Sequence, residues 1–260
     1  AYPNAICPSV DIADASAVAV TLDEHSPDIV INCAARTGRP NVDWCEDHQE
    51  ETLRSNVTGP LVLLSECGSR GIYWMQMGSG CIFEGDNGGR GFSEEDEPNF
   101  AGSFYSQSKL WIDQILRMFP VLLLRPRMPF DGTDNPRSLI TKVRKYDRVL
   151  DMPNSITYIP DMIDAAVALI EKRATGVYHV VNPGTTSPYE IMMKYQEIVD
   201  PNHTFERITQ EQLLEMTKAG RSNCILNSDK LAAEGITMRP VEEAVELALT
   251  ELKGHLAPVG

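Results

Sequence analysis

Short unbroken apolar runs alternate along this chain with longer stretches in which apolar residues recur every three or four positions. The run at 29–35, Ile-Val-Ile-Asn-Cys-Ala-Ala, is too short for a helix and follows the turn residues Pro27-Asp28, so it predicts a buried parallel strand. Residues 72–77, 121–125 and 176–181 predict further strands, and 5–10 a short one ending at Asp11. Between them lie helical stretches at 15–24 behind the N-cap residue Asp14, at 43–67 with a bend at Pro60, at 105–118 and at 160–172. Strand alternating with helix is the pattern of an α/β fold with a doubly wound parallel sheet. After Arg125-Pro126-Arg127-Met128-Pro129, an extended turn fixed by its prolines, residues 135–146 predict a helix with a basic bias from Arg137, Lys142, Arg144 and Lys145. Beyond Asn182-Pro183-Gly184, residues 187–199, 209–218, 228–234 and 241–252 read as helices. No strong strand lies among them, which predicts a smaller, mostly helical lobe.

A chain of 260 residues suffices for one large or two unequal domains. A net charge of −14 argues against general nucleic-acid or membrane-surface binding, since both need clustered positive charge. An anionic substrate would therefore have to find a local basic pocket. The cysteines at 7, 33, 45, 67, 81 and 224 contain no Cys-x-x-Cys pair and read as reduced cytosolic thiols. No apolar run approaches the roughly 18 residues of a membrane span.

Candidate chemistry is concentrated in one stretch. The strand at 72–77 breaks into Gly78-Ser79-Gly80-Cys81-Ile82-Phe83, and after an acidic loop the chain reaches Tyr105-Ser106-Gln107-Ser108-Lys109. The i,i+4 spacing puts Tyr105 and Lys109 on one helix face. The ammonium can then favour the phenolate of a tyrosine whose free pKa is about 10, making Tyr105 an acid or base near neutral pH. A strand-end hydroxyl followed by such a pair is an arrangement for hydride chemistry, although Tyr-x-x-x-Lys alone also arises by chance where both residues reach to solvent. The glycines at 85, 88 and 91 are rejected as a nucleotide fingerprint. That motif works by opening a helix whose amides meet a pyrophosphate, and here an acidic segment follows at 92–98. A flexible surface loop is the plainer reading.

With Ser79, Tyr105, Lys109 and the run Asn32-Cys33-Ala34-Ala35, the chain resembles the extended short-chain dehydrogenase/reductases, whose fold is Rossmann-like. The resemblance implies that Ser79, Tyr105 and Lys109 are the catalytic set and that Asp11 and Ile12 meet the adenine of a dinucleotide. It further implies that Asn32, Ala34, Ala35 and Met128 border the cofactor, as Tyr105 and Lys109 do, and that Asn56 holds the active-site helix. Packing would equally explain Ala34 and Ala35, and capping or turn formation would explain Asn56.

Residues 37–46, 80–84, 98–106 and 135–142 narrow the resemblance to the plant-type nucleotide-rhamnose synthase/epimerase-reductases, which are dTDP-4-dehydrorhamnose reductase-like. In that family the positions matching Cys81 and Lys142 are the acid-base pair of epimerisation. Taken alone, Cys81 reads as a small core filler and Lys142 as a solvated cation. Arg221, in Gly220-Arg221-Ser222-Asn223, and Arg137 on the basic helix are candidates for a sugar nucleotide's diphosphate, because guanidinium forks suit phosphate oxygens; a surface arginine is the alternative for Arg221. Arg39, Asn41 and Val42 are candidates for the sugar side on resemblance alone, beside Ser79, Cys81 and Tyr105.

The implied reaction is 3,5-epimerisation and 4-keto reduction of an NDP-4-keto-6-deoxy-glucose, foremost the UDP sugar, to NDP-L-rhamnose. NADP(H) rather than NAD(H) is the expected cofactor, with no metal. A reductase of the dTDP-4-dehydrorhamnose type, in which Cys81 and Lys142 are incidental, and a non-catalytic regulatory subunit of the same fold are the alternatives. In the family a first strand, glycine-rich turn and helix precede the segment resembling Asp11-Ile12, so the first strand-turn-helix, which carries the phosphates, is expected to be missing. The expected division is a dinucleotide-binding domain over 1–126 and 152–182 and a substrate-binding lobe over 127–151 and 183–260. The expected partners are the sugar nucleotide and a second copy in a homodimer, with no nucleic acid and no membrane, in the cytoplasm.

Overall fold

The computed structural model describes residues 5–256. Its strands are β1 (Ile29–Asn32), β2 (Tyr73–Met77), β3 (Leu122–Arg125), β4 (Pro129–Phe130), β5 (Arg148–Leu150), β6 (Thr157–Tyr158), β7 (Gly176–His179) and β8 (Glu206–Ile208). Strands β1, β2, β3 and β7 form one parallel sheet in that order. Helix α1 (Ala15–His25) precedes β1. Between β1 and β2 lie α2 (Trp44–Asp47), α3 (Gln49–Leu53), a π-helical turn (Arg54–Thr58) and α4 (Gly59–Arg70). Helix α5 (Phe104–Leu116) joins β2 to β3, and α6 (Leu139–Val143) and α7 (Ile159–Glu171) precede β7. The C-terminal part carries α8 (Pro188–Ile198), α9 (Gln210–Leu214), α10 (Asp229–Ala233) and α11 (Val241–Leu256).

The two-residue period of a strand sends alternate side chains to opposite faces, and both faces are covered. Trp74, Leu123 and Val177 pack against Val18 and Leu22 of α1, Leu63 and Cys67 of α4, and Ile112 and Leu116 of α5. Met75, Leu122, Leu124 and Tyr178 pack against Ala165, Leu169 and Ile170 of α7 and Leu231 of α10. Each fully buried leucine or isoleucine contributes roughly 1.5–3 kcal/mol, so helices on both faces secure the sheet. The doubly wound α/β fold is the one the sequence predicts.

A separate core gathers Phe130, Ile140, Tyr158, Ile191, Val245 and Leu252, from β4, β6, α6, α8 and α11. This part is less purely helical than expected. Strand β5 pairs with β8 and β4 with β6, each in parallel.

Other expectations need correction. Residues 5–10 form no strand and are mostly exposed. Strand β1 stops at Asn32, whose side chain accepts the Ala34 amide at 3.0 Å and turns the chain. It borders β2 alone among the described residues, and Ile31 is 48% exposed, so this strand is not buried on both faces. The helix expected over 43–67 is interrupted at His48; from Gln49 it runs on through the π turn into α4, with Pro60 just after that turn. Pro60 has no N–H to give to the carbonyls of that turn, and the wide π turn lies directly before it. The stretch at 135–146 keeps only α6, because the Asn135 side chain holds the Arg137 amide in a turn. The loop over 84–102 is not free. Gly85 bridges to Cys224 and Phe92 to Leu226, while buried Glu94 accepts the His179 amide at 2.7 Å. Among the described residues no helix is long and apolar enough to cross a membrane.

Candidate active site

The C-terminal end of β2 opens into a 3-10 turn, Gly80–Ile82, capped by Ser79, whose hydroxyl accepts the Cys81 amide at 3.2 Å. Cys81 therefore sits in a helical turn, not on strand-like backbone. A Cβ on Gly80 would lie 2.5 Å from the Leu226 side chain, so Leu226 of the C-terminal segment packs directly over this turn. Cys81 is buried with Phe83, Cys224 and Leu226, and Tyr105 packs on the same cluster. Ser79, Cys81 and Tyr105 are thus brought together.

Helix α5 presents Tyr105 from its first turn. Ser103 caps it by accepting the Ser106 amide at 3.1 Å, and Glu46 accepts the Phe104 amide at 2.7 Å. Lys109, 4% exposed, donates to the Met77 carbonyl at 3.0 Å and so spans from α5 to the end of β2. Burial lowers its pKa, against the pull of Cys81, Asp113 and Cys33, which favour the charged form. The phenol of Tyr105 moves opposite to the sequence expectation. Burial and then Cys81 push it well above the ordinary tyrosine value, while the Ser79 hydroxyl and Arg127 pull weakly the other way. Lys109 is not among the groups that shift it. In the resting protein Tyr105 is a phenol, a proton donor rather than a base.

Beneath this pair lies a buried polar network that the sequence reading missed. Asp113, one turn beyond Lys109 on α5, takes a bidentate grip from Arg125 at 2.6 and 2.8 Å. Arg125 Nη1 lies 3.1 Å from His179 Nε2 and can only donate, so Nε2 accepts and Nδ1–H donates to the Asn227 carbonyl at 3.0 Å. Burial and the Arg125 charge lower the His179 pKa to about 3, which keeps the imidazole neutral. A charged residue four positions after Lys109 on the apolar face of α5 was the available signal.

Asn56 holds the active-site helix as the resemblance implied. From the π turn its side chain accepts the Arg36 amide at 2.7 Å and donates to the Arg36 carbonyl and to Ser108 Oγ, which donates to the Tyr105 carbonyl. Asn32 serves β1 itself, donating to Gln76 at 2.8 Å. Ala34 is exposed at the C-terminal end of β1 and Ala35 half-exposed. Asp11 pairs with Arg54 at 2.8 Å, and that bond, with the Ala13 amide, holds its carboxyl below the usual range. Ile12 fills the space above Gly59, where a Cβ would lie 2.5 Å away. Met128 has a φ of +42° immediately before Pro129, a conformation that a side chain rarely adopts.

The remaining candidates divide. Lys142 is half-buried on α6, and burial followed by Arg137 lowers its pKa. Among the described residues it has no ion-pair partner. Arg137 and Arg39 meet Arg36 and Trp44 around a cavity of about 320 Å³, whose floor includes Ala35 and Gly38. Asn41 does not line it; its side chain holds the Asp43 amide at 2.8 Å, and the Val42 carbonyl accepts the Cys45 amide. Arg221 is not free for phosphate. Its fork grips Asp43 with two bonds of 2.9 Å, a pairing across 178 positions with no local sequence signal. Burial would raise the Asp43 carboxyl, yet Arg221 and the Ala219 amide bring it below its ordinary value. A wider groove of about 990 Å³ between α7 and α11, bordered by Asp164, Arg239 and Glu243, contains none of the candidate residues.

This arrangement meets its counterparts in known proteins. A bifunctional dTDP-4-dehydrorhamnose 3,5-epimerase/dTDP-4-dehydrorhamnose reductase of Arabidopsis thaliana is 38% identical over 241 residues, 90% of this chain and 80% of that one. A trifunctional UDP-glucose 4,6-dehydratase/UDP-4-keto-6-deoxy-D-glucose 3,5-epimerase/UDP-4-keto-L-rhamnose-reductase of the same plant is 37% identical over 90% of this chain, which spans 36% of that longer protein. The crystal structure of the L780 UDP-rhamnose synthase of Acanthamoeba polyphaga mimivirus superposes with a TM-score of 0.90 at 35% identity, covering 95% of this chain and 90% of that one. Residues 4–253 match the family described as the RmlD substrate binding domain, and the chain belongs to that family.

Proposed function

We propose that this chain is a bifunctional enzyme that epimerises C3 and C5 of UDP-4-keto-6-deoxy-glucose and reduces its C4 ketone, giving UDP-L-rhamnose. The observation that carries the reading is the convergence of Ser79, Cys81 and Tyr105 at the end of β2, with Lys109 behind them. Likeness to epimerase/reductases of sugar nucleotides over most of the chain supports the reaction class. Two of these relatives are named for UDP sugars, which favours the uracil nucleotide, while the bifunctional plant relative is named for the dTDP sugar.

The residues present fit a nicotinamide cofactor. Small Ala34 and Ala35 stand at the C-terminal end of a parallel strand, the edge at which such sheets take their ligands. Tyr105, Lys109 and Met128 would border the nicotinamide half, and Asp11 and Ile12 the adenine. Bound there, NADPH in preference to NADH supplies the hydride that reduces C4.

The chain's own residues handle the protons. The 4-keto group acidifies the C3 and C5 hydrogens, so Cys81 on one side and Lys142 on the other remove and return them through an enolate. A lysine whose pKa is lowered by burial can give up a proton at moderate cost. Ser79 and Tyr105 hydrogen-bond the C4 oxygen and stabilise the charge that collects there. Tyr105, a phenol in the resting protein, then donates its proton as C4 is reduced.

Arg137, beside the cavity near Trp44, holds the diphosphate in this reading and Arg39 the sugar side, while Arg221 is taken up by Asp43. Of the two cores, the one around the sheet serves the dinucleotide and the one around Phe130 and Ile191 the substrate. Incubating the protein with UDP-4-keto-6-deoxy-glucose in deuterated water, with and without NADPH, tests the whole. UDP-L-rhamnose with deuterium at C3 and C5 is the expected product. Reduction only of substrate supplied already epimerised would leave a reductase of the dTDP-4-dehydrorhamnose type, and no turnover with either nucleotide would end the enzymatic reading.

A further inference from the structure

Arg127 is the least accounted-for charge near the site. It is 8% exposed and lies directly behind the Ser79–Cys81 turn, where its Cδ is 3.5 Å from the place a Gly80 Cβ would occupy. The two segments are tied there, since the Gly80 amide donates to the Pro126 carbonyl at 2.9 Å. Its guanidinium has no carboxylate partner among the described residues; Nη2 donates to Asn154 at 2.9 Å and to the Ser222 carbonyl. The buried Nε has no hydrogen-bond partner, and the only ionisable side chain in hydrogen-bonding reach of the guanidinium among the described residues is the Cys224 thiol. Arg125, two residues earlier, shows the contrast, with Asp113 gripping its fork.

Replacing even a buried ion pair by apolar residues of similar volume is often neutral or stabilising, and a buried cation without a counter-charge lacks the attraction that compensates the pair. The ionisable groups grouped around this turn are Tyr105 and Lys109 of α5, Cys81 of the turn, Cys224 of the C-terminal segment and Cys45 of α2; the carboxylate that acts on Lys109, Asp113, is itself gripped by Arg125. The proposed reaction creates negative charge there in passing, on an enolate and on the donor that loses its proton.

We propose that Arg127 is a positioning residue, a fixed buried cation held behind the Ser79–Cys81 turn to stabilise the negative charge that proton transfer places on that side of the cleft. The purpose rests on the proposed reaction, whereas the claim that the charge burdens the resting fold does not. Its direction agrees with the pull that the guanidinium exerts on the Tyr105 phenol and the Cys224 thiol, favouring the deprotonated form of each. Fixed charges of this kind act because they need no rearrangement when charge appears.

Arg127→Met, matched in length but neutral, and Arg127→Lys, which keeps a charge without the fork, give the test. Thermal unfolding of Arg127→Met is expected at or above the parent temperature. Turnover of both epimerisation and reduction should fall roughly a hundredfold or more, the size seen when an oriented charge-stabilising group is removed. KM values for the sugar nucleotide and NADPH should stay within about twofold, because a group that acts only on transition-state charge leaves ground-state binding unchanged. Arg127→Lys should recover at least a tenth of parental kcat. A Met variant that is stable and fully active overturns the proposal, as does one that unfolds several degrees early or not cooperatively, since Arg127 is then a structural cation. If the parent has no turnover, the proposed function fails by itself, and the melting temperature of Arg127→Met still decides whether the buried charge is a burden or a support.

Discussion

Tyr105 and Lys109 ride on a thirteen-residue helix held by Ser103, Glu46, Asn56 and Arg125, whereas Lys142 rides on five residues of helix and Arg137 on the turn before them. The reducing side is tightly held: Asp113, Arg125 and His179 are paired beneath it, and Lys109 reaches back to the strand that leads into Ser79. On the other side Arg39 and Arg137 are exposed and unpaired among the described residues, and Lys142 is half-buried. The difference teaches where geometry has to be set beforehand. Proton delivery to one oxygen tolerates little misplacement, while a flexible sugar nucleotide can complete the order of the side that receives it.

The strongest way to break the comparison is Tyr105→Phe. Removing one hydroxyl should cost reduction roughly a thousand- to ten-thousandfold, about 4 to 5.5 kcal/mol, the upper range for a positioned proton donor. Circular dichroism and melting should match the parent; unchanged NADPH oxidation would take Tyr105 out of the reaction. Next is Asp113→Ala, which strands the Arg125 charge in the core and should lower stability to urea by about 3–5 kcal/mol. Lys142→Ala, by contrast, should change it by no more than about 0.5 kcal/mol. Equal losses would erase the distinction between the two sides.

Cys81→Ser and Lys142→Ala sharpen the comparison chemically. Each should suppress deuterium entry at C3 or C5 several hundredfold, about 3–4 kcal/mol, yet still reduce a substrate supplied already epimerised. Parental exchange in both would remove the epimerising side altogether.

His179 makes the buried network pH-sensitive. Its folded pKa of about 3 lies below the unfolded value near 6.5, so the unfolded chain takes up the proton first. This contribution to stability is complete above about pH 6.5 and is lost as pH falls towards 3, on the order of 3 kcal/mol by pH 4. Urea titrations of the parent and His179→Gln should therefore converge on acidification; parallel curves would count against it. The smallest effect is expected for Arg39→Gln and Arg137→Gln, each raising KM for the UDP sugar about tenfold with KM for NADPH unmoved. A rise for NADPH alone would assign those arginines to the cofactor.

Much of the fold is legible in the chain because burial on both faces writes apolar runs of strand length, as at Tyr73 and Leu122. Strands of two or three residues such as Thr157–Tyr158 and Glu206–Ile208 are too short to carry a period, and they were missed. At the site, Ser79, Tyr105 and Lys109 were found from local spacing. Their energetics were not, because the lysine's carbonyl partner and the burial that lifts the tyrosine phenol come from elements distant in sequence. Arg221 fails as a phosphate ligand for the same reason: nothing near it announces Asp43.

The π turn at Arg54–Thr58 carries a consequence for how this segment tolerates change in length. One extra residue there lets Asn56 turn inward to Arg36 and Ser108 while α4 keeps its apolar stripe on the sheet. Deleting Val57 would tighten the wide turn to the ordinary α-helical repeat; the segments on either side would keep their phase, and the residues of the turn itself would change direction. Asn56 would then face away from the catalytic helix with no side chain altered in kind, so a single-codon loss at this turn would be more damaging than most substitutions within it.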